Sequence, residues 1–227
     1  MKRKIISCAI FKPYIEVIEK TYDVFFDVQY LDIKQHDDPK KLNQLLQNEI
    51  NQIKNVDEIL LLYGLCGNSI LNLKTMNIPV RILKVHDCAM VLAGSKSRYK
   101  QLFSQNLSQA YACASYNSLD SYNNYKTSLE YLRLVNKYGQ ENADYVLQVL
   151  YQQKSEHIFY FNFNLEEDKT EIEKYDRKKL KIIDGNLTML ENVLLMKDLK
   201  DTELLTINSS IEPIYDLEEV FVIKKDN

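Results

Sequence analysis

The chain has 227 residues, 45% hydrophobic and 27% charged, with a formal net charge of −3 and a pI near 5.7. That size and composition predict a soluble globular protein of one large or two small domains, with a core that needs no disulfide staples. The mildly acidic, well-mixed charge excludes the basic footprint of a nucleic-acid binder, and no run approaches the ~18 apolar residues of a membrane helix.

The start, Met1-Lys2-Arg3-Lys4 followed by IISCAIF, imitates a signal peptide only briefly. Its apolar stretch is short, and no small-residue cleavage site follows. A cytoplasmic protein is the expectation. In a reducing compartment Cys8, Cys66, Cys88 and Cys113 are expected as thiols, ligands or core residues rather than disulfides.

In chain order, Lys4–Phe11 reads as a buried strand with Cys8 near its end. Pro13-Tyr14 opens a short helix, and Phe25–Ile33 reads as a second strand leading to His36. Asp38-Pro39 is a helix start, an acidic N-cap followed by proline at the first helical position. Leu42, Leu45, Leu46, Ile50 and Ile53 then form one apolar face, ending near Lys54. Ile59–Tyr63 is a continuous apolar run, as in a strand buried on both faces of a parallel sheet. Gly64 and Gly67 bracket Leu65-Cys66, and Ser69–Leu73 is expected as a short helix. Pro79–Val85 is the fourth strand, followed by His86-Asp87-Cys88 and a helical turn over AMVLAG. Lys100–Leu107 reads as helix. Gln109–Ala114 is either a fifth strand or an extended segment crossing the site.

Residues 115–126 are polar and mark a boundary or surface loop. Two packing helices follow, one ended by Gly139 and one with the stripe Ala143, Val146, Leu147 and Leu150. His157–Phe163 is a strand, Glu166–Lys179 a charged helix, Lys181–Asp184 a strand and Thr188–Met196 a helix. Leu204–Ile207, Ile214–Tyr215 and Val220–Ile223 are late short strands. The expected architecture is α/β: a parallel sheet flanked by helices in Rossmann-like βαβ units, with a second, smaller α/β half. The expected divisions are 1–116, a helical connection over 117–156, and 157–227.

In parallel sheets of this kind ligands bind beyond the carboxyl ends of the strands. Cys8, His36, Cys66, and His86 with Cys88 follow strands one to four, so every exit carries a Cys or His. Four such donors suit a tetrahedral zinc site, or three ligands with an open position. Cys8, Cys66, His86 and Cys88 are the candidate ligands. Zinc is favoured, with iron or an iron–sulfur cluster as alternatives. His36 and Asp87 are the candidate catalytic groups, one carrying protons and the other orienting a ligand. Gly64, Gly67 and Asn68 are candidate cofactor-binding residues, since glycines let backbone approach a bound group. No phosphate-binding loop, dinucleotide fingerprint or G-x-S-x-G elbow is present.

The order Cys8, Leu31-Asp32 with His36 and Pro39, Tyr63-Gly64-Leu65-Cys66-Gly67-Asn68, Val85-His86-Asp87-Cys88 and Leu92-Ala93-Gly94-Ser95 resembles the DUF1638 family. Tyr-Gly-Leu-Cys-Gly and His-Asp-Cys are its most specific parts. Ala114-Ser115-Tyr116 departs from it, standing where a Thr-Gly-Trp-like segment is expected. The resemblance implies that the Cys and His residues are functional. It also implies, by association, corrinoid-dependent methyl-transfer proteins as partners. The leading expectation is a metal-binding protein acting on a small molecule by methyl or other group transfer. One alternative is a non-catalytic carrier or sensor of a metal or corrinoid-like ligand. The other is a metal-free thiol enzyme using Cys66 or Cys88 with His86 as base.

Overall fold

Apolar strands alternating with helices build two α/β units in the computed structural model, which describes residues 1–104, 110–117, 129–155, 157–214, 216 and 218–225. The chain runs β1 (Arg3–Cys8), α1 (Lys12–Tyr22), β2 (Val28–Leu31), α2 (Pro39–Gln52), β3 (Glu58–Leu62), β4 (Val80–Leu83), α3 (Cys88–Leu92) and α4 (Lys96–Phe103). It continues through β5 (Ala110–Cys113), β6 (Tyr116–Asn117), α5 (Leu129–Tyr138), α6 (Gln140–Ser155), β7 (Ile158–Asn162), α7 (Glu166–Ile172) and β8 (Leu180–Asp184). It ends with α8 (Thr188–Leu194), β9 (Thr202–Leu205), β10 (Ser209–Pro213) and β11 (Phe221–Lys225).

The first unit comprises Met1–Lys100 and Asn186–Asn227, and the second Gln101–Gly185. The sequence suggested divisions near residues 116 and 156. The first unit instead recovers the C-terminal segment, because β9 pairs antiparallel with β4 from Val80↔Leu205 to Leu83↔Thr202.

The sheet of the first unit has the order β2-β1-β3-β4-β9. Its first four strands are parallel. All five residues of β3 are buried, which explains why its run is apolar without alternation. Leu42, Leu46 and Ile50 of α2 face this sheet's core cluster, together with Ile6, Leu61 and Ile82. Helix α2 starts as its sequence predicts: Pro39 is the first helical residue, and the Asp38 side chain accepts a hydrogen bond from the Lys41 amide at 3.2 Å.

Near the amino ends of the strands, Glu58 is 5% exposed and joins two guanidinium groups. Arg3 donates to one of its oxygens at 2.8 and 2.9 Å. Arg81 approaches the other at 2.8 and 3.0 Å. A carboxylate so far from water is tolerable only because both oxygens are met.

The second unit holds a sheet in the order β6-β5-β7-β8, with β5, β7 and β8 parallel and β6 antiparallel to β5. Buried Asp168 organises its β7–α7 connection. It accepts from the Tyr160 hydroxyl at 2.8 Å and from the Phe163 and Leu165 amides at 2.9 Å each.

Several expected elements differ: the first strand ends at Cys8 and gives way to a 3-10 turn over Ala9–Phe11, the helix expected from Lys100 starts at Lys96, and Ile214 lies just past β10. Ser69–Leu73 is a series of turns rather than a helix. The second strand shortens to Val28–Leu31, because the Asp32 side chain accepts from the Lys34 amide and starts a 3-10 turn over Ile33–Asp37. Helix α7 stops at Ile172, ahead of the turns that feed β8. The strand expected over Leu204–Ile207 is β9, two residues earlier. Of the polar stretch at 115–126 only Ser115–Asn117 is described. Leu107, Gln109, Tyr215 and Asn227, which end or begin expected elements, lie outside the described residues.

Candidate functional site

The order β2-β1-β3-β4 contains a reversal: from β1 the chain steps outward to β2, then returns to the other side of β1 for β3. In open α/β sheets with such a reversal, ligands bind beyond the carboxyl ends of the strands on either side of it. Cys8 ends β1, and Ser7 is in register with Leu62. Cys8 is the side-chain hydrogen-bonding neighbour of Tyr63, the residue that follows β3.

The loop after β3 is locked to the loop after β4. The Leu65 amide donates to the Val85 carbonyl at 3.0 Å, and the Cys66 amide donates to the His86 carbonyl at 2.9 Å. This parallel pairing outlasts the strands and draws Cys66 alongside His86 and Asp87. Gly64 makes it possible, because a Cβ there would stand 2.2 Å from the Val85 carbonyl oxygen.

Beyond that point the backbone turns left-handed. Cys66, Gly67 and Asn68 have φ of 43°, 68° and 72°, and the Ser69 amide closes the turn on the Leu65 carbonyl at 2.8 Å. Left-handed geometry suits Gly and Asn but costs about 1–2 kcal/mol at a residue such as Cys66. Asn43 of α2 holds the turn by donating to the Ser69 and Leu71 carbonyls at 2.7 and 2.8 Å. This turn, not a helix, presents the Cys66 thiol.

His86-Asp87-Cys88 leads directly into α3. Asp87 caps that helix by accepting from the Met90 amide at 3.2 Å, and its other oxygen accepts from the Tyr99 hydroxyl at 3.4 Å. Burial raises the Asp87 carboxyl above its ordinary value, against the opposing effects of the Met90 amide, His86 and Tyr99. Burial and then Asp87 raise the Tyr99 phenol.

Cys8, Cys66 and Cys88 all act electrostatically on Tyr63. Burial first, then negative charge on those three thiols, holds the Tyr63 phenol far above its ordinary value, with the Cys8 sulfur as its hydrogen-bonding neighbour. Yet the Tyr63 oxygen, cut off from solvent, completes no hydrogen bond of good geometry. Cys66 is half-buried. Burial pushes this thiol up to about 12, against a lowering contact from Gly64, with Asp87 and Cys8 adding to the rise. None of the four cysteines is in a disulfide.

His86 lies at the rim. Its Nε2 donates to the Asp216 carbonyl at 2.7 Å, so its Nδ1 carries the lone pair in the neutral ring. The same turn is tied down by Lys84, which meets Glu219 at 2.9 Å and Glu203 at 3.0 Å. His36 faces its own 3-10 turn, with Nδ1 at the Ile33 carbonyl and Nε2 3.2 Å from Asp37. Cys113 belongs to the second unit, at the end of β5.

The structure thus brings together Cys8, Cys66, Cys88 and Asp87, sets His86 beside them, and gives His36 local partners. Gly64, Gly67 and Asn68 shape the thiol-bearing loop. Among the described residues, no three His, Cys, Asp or Glu side chains already stand at metal-holding spacing. Thiols and imidazoles are donor types that zinc and iron both accept. Tyr63 and Tyr99 were not legible as site residues. Tyr63 was marked only by its place at a strand exit, next to the glycine-flanked cysteine, in a chain with 16 tyrosines.

Fold and site define an α/β protein with cysteines following three strands at the point where the strand order reverses. The chain belongs to the family described as "Protein of unknown function (DUF1638)", which it matches over residues 30–194. That span contains Cys66, His86 and Cys88, and Cys8 precedes it. No curated protein and no solved structure matches the chain. Among the described residues no helix is long and apolar enough to cross a membrane.

Proposed function

We propose that Cys8, Cys66 and Cys88 hold a metal ion, zinc before iron, and that the protein uses it to act on a small molecule at the carboxyl edge of the sheet. What supports this reading is that Cys8, Cys66 and Cys88 follow three separate strands, that backbone bonds tie the Cys66 loop to the His86 loop, and that all three thiols act on the buried Tyr63. Three protein ligands leave a fourth position for His86 or for substrate, the pattern of catalytic rather than structural zinc. A thiolate-bound metal would supply Lewis acidity to a bound thiol or water. Asp87, held by Met90 and Tyr99, stands where it can orient a ligand or hold a proton. Methyl or other group transfer is the reaction class to assay first, with corrinoid methyl-transfer proteins as candidate partners. A reducing, cytoplasmic setting suits thiols kept as ligands.

Metal analysis of untagged protein, purified without chelator, tests the reading. About one zinc or iron per chain is expected, lost in Cys66→Ser. A metal-free wild type that takes up neither ion on addition would overturn it.

A further inference from the structure

The edge of the first unit's sheet at the amino ends of its parallel strands gathers apolar side chains that stand in water. Met1 precedes β1, Val24 and Phe25 lie in the connection entering β2, and Met76 lies in the one entering β4. Because β9 runs antiparallel to β4, with Leu205 opposite Val80, Ile207 emerges at the same edge. The end of α8 comes here too: Arg3, at the start of β1, donates to the Val193 carbonyl at 3.0 Å. Met196 follows, and Lys197 lies over the exposed Tyr22 ring, 4.2 Å from its centre. Phe25 is 88% exposed, Met76 72% and Ile207 53%. Among the described residues of this unit, Ile214 is the one large exposed apolar side chain away from this edge. Apolar residues scattered singly need no account, but a row of them on one edge points to an interaction.

Charge narrows the partner. Lys2, Lys20, Lys54, Lys74 and Lys197 are all exposed at this edge. The exposed acids here are Asp23, Asp27 and Asp57, and Asp27 meets Lys4 at 2.5 Å. Half-buried Glu19 and Glu191 hold the Phe26 amide at 2.8 Å and the Tyr22 hydroxyl at 3.3 Å. Arg3 and Arg81 outnumber Glu58 between them. The edge is therefore positive in a chain whose net charge is −3. A second copy docking through the same edge would set like charges together. The apolar side chains are also spread along five strands, roughly 19 Å at about 4.8 Å per spacing, with charged residues between them. Protein interfaces have a contiguous, charge-depleted core. A fluid bilayer instead takes up separate side chains, each removed from water on its own.

We infer that this edge is a docking surface for an anionic lipid bilayer, with Phe25 and Met76 entering the apolar layer while the lysines meet the lipid phosphates. Anionic headgroups attract each such lysine, and salt screens the attraction. The edge that carries the cysteines faces away from the membrane, and the inference stands independently of the metal reading.

Cosedimentation of the full chain with phosphatidylglycerol vesicles and, separately, with phosphatidylcholine vesicles is the test. Binding to the first and not to the second is expected, with loss at high salt. Phe25→Ala removes a side chain that stands almost wholly in water, so the fold should persist and binding should weaken about tenfold or more. Ile182→Ala, at an exposed residue of the second unit, should bind as wild type does. No sedimentation with phosphatidylglycerol vesicles, binding that Phe25→Ala leaves unchanged, or equal binding to both lipids would each overturn the inference. Self-association that Phe25→Ala abolishes, without vesicle binding, would give the edge to a second copy and overturn it as well.

Discussion

Gly64 and Val85 lie so close that a Cβ on the glycine would come within 2.2 Å of the Val85 carbonyl oxygen and 2.7 Å of its side chain. The contact is backbone against backbone, so no rotamer change can relieve it. Gly64→Ala must push the two loops apart and stretch the Leu65–Val85 and Cys66–His86 hydrogen bonds. Overpacking of this kind costs about 1–3 kcal/mol. The urea midpoint should fall accordingly, and the metal content of the purified variant should fall with it. Gly139 has open space around its would-be Cβ and offers a control in which alanine changes the backbone preference alone.

The Cys66 thiol should react slowly in metal-free protein. Burial pushes it up to about 12, whereas an ordinary cysteine ionises near 8.5. Only the thiolate attacks an alkylating agent, so the Cys66 rate should keep climbing with pH well past 9 without levelling. Peptide mapping after iodoacetamide pulses at several pH values checks this. A Cys66 rate that levels near pH 8.5 would show a thiol ionising as if in water. The same slow reaction weighs against Cys66 as an unaided nucleophile.

Glu58 anchors the opposite end of the same sheet. Its two oxygens meet Arg3 and Arg81, whose side chains are 10% and 17% exposed. Removing one partner of a buried ion pair costs about 3–5 kcal/mol, because charge is left behind without compensation. Glu58→Gln keeps the shape and removes the charge, stranding two guanidinium groups. Equilibrium unfolding in urea should register a loss of that order. A change below about 1 kcal/mol would mean that water reaches the cluster.

Much of the first unit could be read directly from residues. The apolar run at Ile59–Tyr63 and the Asp38-Pro39 helix start report local energetics, and both elements form where their side chains dictate. The Cys and His residues beyond the strands were visible because parallel sheets put exits on one edge. Less legible were features that depend on distant partners. The segment Ser69–Leu73, with Ile70 and Leu73 both buried, reads as a short helix but continues the turn that starts at Cys66. It is set instead by three left-handed residues and by Asn43, more than twenty positions away. The return of β9 to β4 had no local mark, since Thr202–Leu205 resembles any short edge strand. Tyr63 was hidden for a related reason: in an apolar run a tyrosine reads as core, and only the folded chain sets it against Cys8.

In the second unit, Tyr160 links stability to pH. Its hydroxyl donates to buried Asp168 at 2.8 Å. Burial first, then that bond and the charge on Asp168, holds the phenol far above its ordinary value of 10.0. A group raised in the folded state stabilises fully below its unfolded value and loses that contribution as pH climbs through it. Here the unfolded phenol ionises from about pH 10, and the folded one resists. Tyr160→Phe should therefore cost about 1–3 kcal/mol at neutral pH, where the hydrogen bond is intact. The gap between wild type and variant should then narrow above pH ~10, because ionisation favours the unfolded wild-type chain and has no counterpart at residue 160 in the variant. Urea midpoints at pH 7.5, 9 and about 11 measure it, and a gap that stays constant across that range would show that the phenol is solvated.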